Sequence, residues 1–563
     1  MSTIDFWQIG FFCLALLLAT PVLGSYMARV FQGEKHVFST WGGAIEKLIY
    51  RIAFINNSEQ MTWKRYASSL LIFNLLGFFV VLFLQIFQSK GPLNPQNLPD
   101  LPWALAFNTA VSFVTNTNWQ AYAGETTLSY FTQACGLGVQ NFLSAATGLS
   151  VLLVLIRGII QRENPLLGNF WVDMTRAVLY LFLPLSILLA LILASQGVMQ
   201  NFASYVEVQT LENLTQILPM GPVASQEAIK QLGSNGGGFF GTNSAHPFEN
   251  PSALANFFSM LAMMLIPSAS LYMFGLLSKA RKHAAALYAV IIILFGTMLI
   301  FGIYEERQPN NSLGLIENLE GKETRLGVTN SVLWAMTTTA TSNGSVNAML
   351  DSFSPLAGGL ALLQILLGEI IFGGVGSGLY GLLLFTILAV FLSGLMIGRT
   401  PEYLGKKIES PDIQLTLVAI LLPCAVVLIG SSISLLVPAA RESLLNTGPH
   451  GLSEILYAWG SAANNNGSAF AGLNSNTIFY NIMLAIAMIL GRFGVIVPVL
   501  AIAGNLATKK ISPTTQGSFL THGLTFVLFL LGVILIIGAL TFMPALILGP
   551  VAEYFLMNLG VSF

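Results

Sequence analysis

Charge is the scarcest commodity in this sequence: Asp, Glu, Lys and Arg together make up 9% of its 563 residues, against about 25% in soluble globular proteins. A chain so poor in ions must expose much of its surface to lipid instead of water. Cysteine is nearly missing as well. Cys13, Cys135 and Cys424 stand in apolar stretches without ligand spacing, which excludes a disulfide framework and leaves buried thiols as the expectation. The five histidines (His36, His246, His283, His450 and His522) are scattered and form no HExxH, so no metal is expected beyond a transported ion. There is no GxxxxGK[ST] loop and no Asp-Lys-Thr-Gly phosphorylation motif. The chain by itself is therefore not expected to be an enzyme. With a net charge of −1, no nucleic-acid partner is expected either.

What is present is apolar sequence, 54% of the chain with mean hydropathy +0.73. Apolar runs long enough to cross a ~30 Å hydrocarbon core recur throughout. They lie near 4–26, 67–88, 131–156, 172–195, 252–277, 284–304, 356–397, 414–437, 477–504 and 518–541. Unbroken runs exclude the alternation of a membrane barrel, so the fold class is an all-α polytopic membrane protein with ten transmembrane helices. The first run lacks a basic segment before it and reads as a retained span, not a signal peptide. The segments 27–66, 157–176, 278–283, 398–413 and 505–513 hold 17 of the 24 Lys and Arg and eight acids. The opposite face holds six basic and sixteen acidic residues. By the positive-inside rule the first face is cytoplasmic, and both termini lie outside. The acids of the outer face read mostly as solvated loop residues.

Four stretches are too short to cross: 104–114, 224–233, 328–340 and 452–463. Each runs straight into a small polar loop and then into another span. The loops are Thr115-Asn116-Thr117-Asn118, Ser234-Asn235-Gly236-Gly237-Gly238, Thr341-Ser342-Asn343-Gly344 and Asn464-Asn465-Asn466-Gly467. From Asn116 to Gly236, Gly344 and Gly467 the steps are 120, 108 and 123 residues. This is a fourfold internal repeat of span, pore helix, filter loop and span. The repeats cover 67–156, 172–277, 284–397 and 414–504, with an extra span at each end in 1–30 and 518–541. Set around one axis, the loops form a single ring. Gly permits the backbone conformations that turn successive carbonyls inward, and Asn tolerates left-handed geometry. Such a ring can replace the hydration shell of K⁺. No carboxylate lies in any loop, which argues against a calcium-type ring of acids. Gln120, just past the first loop, is the candidate to steady the filter mouth.

Two features below the loops are candidates for gating the ion path. As one straight helix, the 42 apolar residues 356–397 would run about 63 Å against a core of about 30 Å. The segment must cross once and spend its surplus in a break, placed at Gly373-Gly374-Val375-Gly376-Ser377-Gly378, with Glu369 just before it as a first stop for a cation. Arg492, within a span, is expected to face the pore below the filter and to oppose passage to the cytoplasm.

These loops resemble those of the superfamily of potassium transporters in which one chain mimics a four-subunit channel. Longer stretches resemble one family within it, KdpA, the potassium-binding subunits of the bacterial Kdp ATPase. They are NTAVSFVTNTNWQAYAGETTLSYF, LPMGPVASQEAIKQLGSNGGGFF, NSAHPFENP, GEIIFGGVGSGLYG, GLMIGRTPEYLGKKI, SAANNNGSAFAGL, GRFGVIVPV and ALTFMPALILGPVAEY. The third loop departs slightly, carrying Asn343 where the family pattern has Cys before Gly. The resemblance implies a K⁺ site in the filter, a bacterial inner-membrane location and a complex with a P-type ATPase catalytic subunit and two small accessory subunits. It also implies sideways exit of the ion through a tunnel toward the ATPase subunit. The alternative is a free-standing potassium channel or symporter, for which eight spans suffice.

Overall fold

The structure, a computed structural model, describes residues 3–309, 314, 317–512 and 520–561. Residues 518 and 519 of the expected last span, and the first two residues of the chain, lie outside the described residues. Among the described residues, ten helices are long and apolar enough to cross a membrane: Asp5–Gln32, Trp63–Ile86, Thr132–Ile160, Phe170–Ser195, Ala253–Leu277, Arg281–Glu306, Ser377–Ile397, Ser410–Leu436, Ile478–Ala507 and Leu524–Asn558. Lipid offers backbone N–H and C=O groups no partner, so each run closes its own hydrogen bonds as helix.

Between the two spans of each repeat sits a short helix: Trp103–Val114, Val223–Leu232, Gly327–Thr341 and Gly448–Ala463. Within every repeat the second span is more buried than the first, at 83% against 22%, 72% against 39%, 67% against 56% and 50% against 28%. The second spans are therefore the inner wall and the first spans the lipid-facing one. The N-terminal span packs along Ala253–Leu277, where Gly24 leaves room for Tyr272 and Thr20 meets Ser268 at 2.7 Å. This is the small-residue contact that lets membrane helices approach closely.

The segment 356–397 is broken into two helices, Pro355–Leu366 and Ser377–Ile397. The break begins earlier than the glycines predict, at Leu367, and it ends before Ser377 and Gly378, which start the second piece. Leu367 to Phe372 look helical by composition, yet Glu369 and Phe372 adopt φ of 60° and 62°.

Three further expectations are corrected. The basic face carries a helix not foreseen, Ser39–Ile52, whose Trp41, Ile45, Leu48 and Ile52 are exposed. Cys135 is exposed at the start of its span, and Cys13 and Cys424, on the weakly buried spans Asp5–Gln32 and Ser410–Leu436, are only half-buried. Several acids of the opposite face are buried and paired, not solvated: Asp5 with Arg307, Glu306 with Lys322, and Glu227 and Glu249 with Lys230.

On that acidic face His450, in the first turn of the fourth short helix, joins repeat three to the last span. Its Nε2 lies 2.9 Å from Asp351 Oδ1 and its Nδ1 lies 2.7 Å from Glu553 Oε1. Burial by itself would lower the imidazole pKa, but the bonds to Asp351 and Glu553 outweigh it and raise the pKa to about 10. A pKa raised above the unfolded value of about 6.5 stabilises fully below that value and loses its effect as pH rises through the folded one. We predict that His450→Gln lowers the Tm most at pH 6 and below. The deficit should shrink steadily through the alkaline range and vanish above about pH 10. Thermal unfolding in detergent across that range checks it, and a deficit independent of pH would contradict it.

Candidate functional site

Each short helix ends where its polar loop begins, so four C-termini converge on the loops. In all four loops the same two positions are left-handed. The first is Asn116, Ser234, Ser342 and Asn465 (φ 66°, 47°, 51° and 55°), and the second, two residues on, is Asn118, Gly236, Gly344 and Gly467 (φ 52°, 75°, 84° and 96°). Non-glycine residues rarely hold such angles without surrounding contacts that impose them. The equivalence also corrects the repeat register. Asn118, not Asn116, stands opposite Gly236, a step of 118 residues.

The contacts that impose these angles run from each loop to the loop or short helix of the neighbouring repeat. Asn116 Nδ2 donates to Ser234 O at 2.9 Å and Asn118 Nδ2 to Gly236 O at 2.8 Å, joining loops one and two. Asn343 Nδ2 donates to Lys230 O at 3.1 Å, joining three to two. Asn466 Nδ2 donates to Thr338 O at 3.0 Å, joining four to three. Asn465 Nδ2 donates to Thr117 Oγ1 at 2.9 Å and closes the ring from four to one. The glycines are needed for the same closure. A β-carbon at Gly236 would stand 1.5 Å from Asn343 O, at Gly344 2.2 Å from Asn466 O, and at Gly467 1.9 Å from Thr117 O.

Polar groups behind the ring complete it. Asn235 Nδ2 reaches Asn116 Oδ1 at 2.5 Å, Asn141 O at 3.1 Å and Ser144 Oγ at 3.1 Å. Gln120, at the mouth, pairs with both backbone groups of Gly238, accepting from its N–H at 2.8 Å and donating to its carbonyl at 3.0 Å. On the other side, Thr115 Oγ1 and Thr341 Oγ1 turn back to Val111 O and Thr337 O, and Asn464 Nδ2 turns back to Gly460 O. Behind Gly237, Lys230 Nζ lies 2.9 Å from that residue's carbonyl, 2.5 Å from Glu227 Oε2 and 2.8 Å from Glu249 Oε2. Asn141, Ser144, Lys230 and its two carboxylates were not singled out from sequence. The available signal was polar residues inside an apolar span and a lysine inside a helix that must be buried.

Below the ring lies a cavity of ≈ 70 Å³ touched by Asn464, Asn465, Glu369, Ser377, Tyr380 and Arg492, and walled further out by Ile534 and Phe542 of the last span. Arg492 is buried and donates to Ser144 O at 3.0 Å. Gly148, one turn along from Ser144, receives the break on its bare face. A β-carbon there would meet Val375 O at 2.5 Å and Arg492 Nη2 at 3.0 Å, and one at Gly376 would meet Gly148 O at 2.2 Å. Ser342, Ser377 and Arg492 are the polar neighbours of Glu369. Gly373 folds over Gly378, and its N–H bonds Ala340 O at 2.7 Å, at the end of the third short helix. Gly374 faces Ser377 and Ser342.

Comparison with known proteins places this arrangement. A family described as Potassium-transporting ATPase A subunit, KdpA, matches residues 10–555. A relative from Leptospira interrogans is 53% identical over 560 residues, covering 99% of each chain, and one from Pseudomonas fluorescens is 52% identical over 563 residues, covering 99% of this chain and all of its own. Both are named potassium-transporting ATPase potassium-binding subunit. The crystal structure of the potassium transporter TrkH from Vibrio parahaemolyticus aligns at TM-score 0.48 and 16% identity over 74% of this chain and 83% of that one.

The ring makes its own prediction. Gly467→Ala places a methyl against the Thr117 carbonyl at a left-handed position and should cost about 1–3 kcal/mol, read as a lowered Tm. Gly532→Ala, where nothing lies within 4 Å, should leave Tm unchanged or raise it. Equal melting of the two variants would contradict the closure described.

Proposed function

The chain belongs to the potassium-transporting ATPase A subunit family, and on that footing we propose that its four-loop ring selects extracytoplasmic K⁺ and delivers it to a P-type ATPase subunit for ATP-driven uptake. The observation that carries the reading is the closure of the ring, each repeat joined to its neighbour by a buried asparagine amide of a loop. A ring so fixed can offer an ion oxygens in place of water at a set spacing. Four short helices aim the negative ends of their dipoles at it. No carboxylate stands within the loops, and Glu227 and Glu249 behind the second loop are both paired with Lys230, so a carbonyl-coordinated monovalent ion fits better than a divalent one.

The path beyond the ring follows from what lies under it. Arg492 and the non-helical Gly373–Gly376 segment stand against Gly148, where a straight pore would continue. A cation passing there meets a fixed positive charge. The cavity beneath the ring is lined by Glu369 and Ser377 and also by Ile534 and Phe542 of the last span. This supports transfer within the membrane to a partner, with the basic face in the cytoplasm and two small subunits completing the complex. Energy comes from that partner, since the chain carries no nucleotide or phosphorylation motif. A free-standing channel would gain nothing from an obstructed axis.

Gly344→Asp and Gly467→Asp, each disturbing the backbone and adding a charge at the ring, should weaken K⁺ binding and relax rejection of Na⁺. Unchanged K⁺ affinity in both would end the filter assignment. Arg492→Gln should open a downhill K⁺ leak in vesicles or uncouple hydrolysis from transport, and a tight, coupled variant would refute the barrier role. The purified chain should bind K⁺ yet hydrolyse no ATP until its partner subunits are added.

A further inference from the structure

In three of the four loops, the carbonyl just beyond the fourfold-equivalent glycine position is bonded backward to a side chain of its own short helix. Ser112 Oγ donates to Trp119 O, Lys230 Nζ to Gly237 O, and Trp334 Nε1 to Ser345 O, all at 2.9 Å. Ser112 and Lys230 stand at the same place in their repeats, six residues before Asn118 and Gly236. Trp334 reaches the equivalent oxygen from one turn earlier. A hydroxyl, an ammonium and an indole thus make the same bond to the same carbonyl. All three donors are buried, with exposures of 0%, 1% and 0%. In the fourth loop Tyr457, placed as Trp334 is, holds the residue by its side chain instead, its hydroxyl 2.8 Å from Ser468 Oγ.

Satisfying a buried carbonyl explains any one of these bonds. It does not explain why one oxygen is chosen in three repeats, nor why one donor is a lysine. A buried ammonium is costly and here requires two carboxylates to offset it, Glu227 and Glu249. We infer that Ser112, Lys230 and Trp334 are positioning residues that keep the mouth-side carbonyls of Trp119, Gly237 and Ser345 turned toward the short helices and away from the ion. The inference rests on the ring being the K⁺ filter. Held this way, the mouth contributes no excess of inward oxygens, and the ion's coordination is set deeper, by the loops themselves. Release of one carbonyl lets it turn toward the axis, which changes the number of oxygens offered and with it the discrimination between ions.

The test uses the full complex and two variants that leave no buried charge behind, Ser112→Ala and Trp334→Phe. K⁺-stimulated and Rb⁺-stimulated ATP hydrolysis give a KM for each ion. Each variant should raise the KM for K⁺ about two- to tenfold, the size of one hydrogen bond lost, and shift the ratio of the K⁺ and Rb⁺ values. A purely structural role would lower the yield and Tm of the complex without moving that ratio. Lys230→Gln combined with Glu249→Gln should shift the ratio in the same sense. If either neutral variant fails to assemble, the other decides. Wild-type KM and ratio in the assembled variants would overturn the inference. The Gly467→Asp complex separates this failure from failure of the filter reading. Lost K⁺ affinity there with normal Ser112→Ala and Trp334→Phe refutes only the positioning role, whereas normal affinity in all three refutes the filter.

Discussion

Backbone that is not helical cannot survive at membrane depth unless protein satisfies it, and the architecture follows from meeting that demand four times in one place. The asparagine amides of the loops do this work. Asn116, Asn118, Asn343, Asn465 and Asn466 each reach across to the neighbouring repeat. No loop is complete alone, because its bonding partner is the loop or short helix of a neighbouring repeat. The inner spans must bring all four to one level before any is stable, which explains why the second span of every repeat is the buried one. The glycines serve the same end, since the space beside Gly236, Gly344 and Gly467 is filled by the neighbouring loop's carbonyl.

Building the ring from one chain instead of four copies lets each quarter differ. The first loop uses Asn118 where the others use glycine, and it supplies Gln120 to brace the second. The second carries a buried charged cluster around Lys230 that no other repeat has at that position. Among the described residues, only the third has a broken inner span. The symmetry therefore sits in the backbone of the ring, and the asymmetry in what stands behind and below it. A carrier that must receive an ion on one side and release it to a single neighbour needs that division.

The class, the ten spans and the four loops were legible because each rests on a signal that composition carries directly: apolar length, helix too short to cross, and repetition. Register within the ring was not. Thr115-Asn116-Thr117-Asn118 alternates two residue types, so either asparagine fits opposite a glycine, and only the left-handed angle at Asn118 and its bond to Gly236 decide it. The start of the break was hidden for the opposite reason. Leu367, Ile370, Ile371 and Phe372 are good membrane-helix residues, and tertiary contact overrode their preference. The buried acids were misread because a carboxylate shows its charge in sequence but not its partner. Glu227 and Glu249 become interior only when the fold brings Lys230 between them. The helix Ser39–Ile52 carries no such signal, because its 14 residues are too few to cross and include Glu46, Lys47 and Arg51.

The ring and the break are also mechanically joined, and this shapes how the chain can work. The Gly373 N–H bonds the Ala340 carbonyl, two residues before Ser342 of the third loop, and Ser342 and Ser377 are both neighbours of Glu369. The ring is over-determined by bonds between loops. The break holds Glu369 and Phe372 at left-handed angles and is tied to the ring by that Gly373 bond. On the proposed path past Glu369, movement of residues 367–376 reaches the ring through the end of the third short helix. The three other loops are left to keep their geometry. Selection and release can then occur a few residues apart in one chain without the second undoing the first.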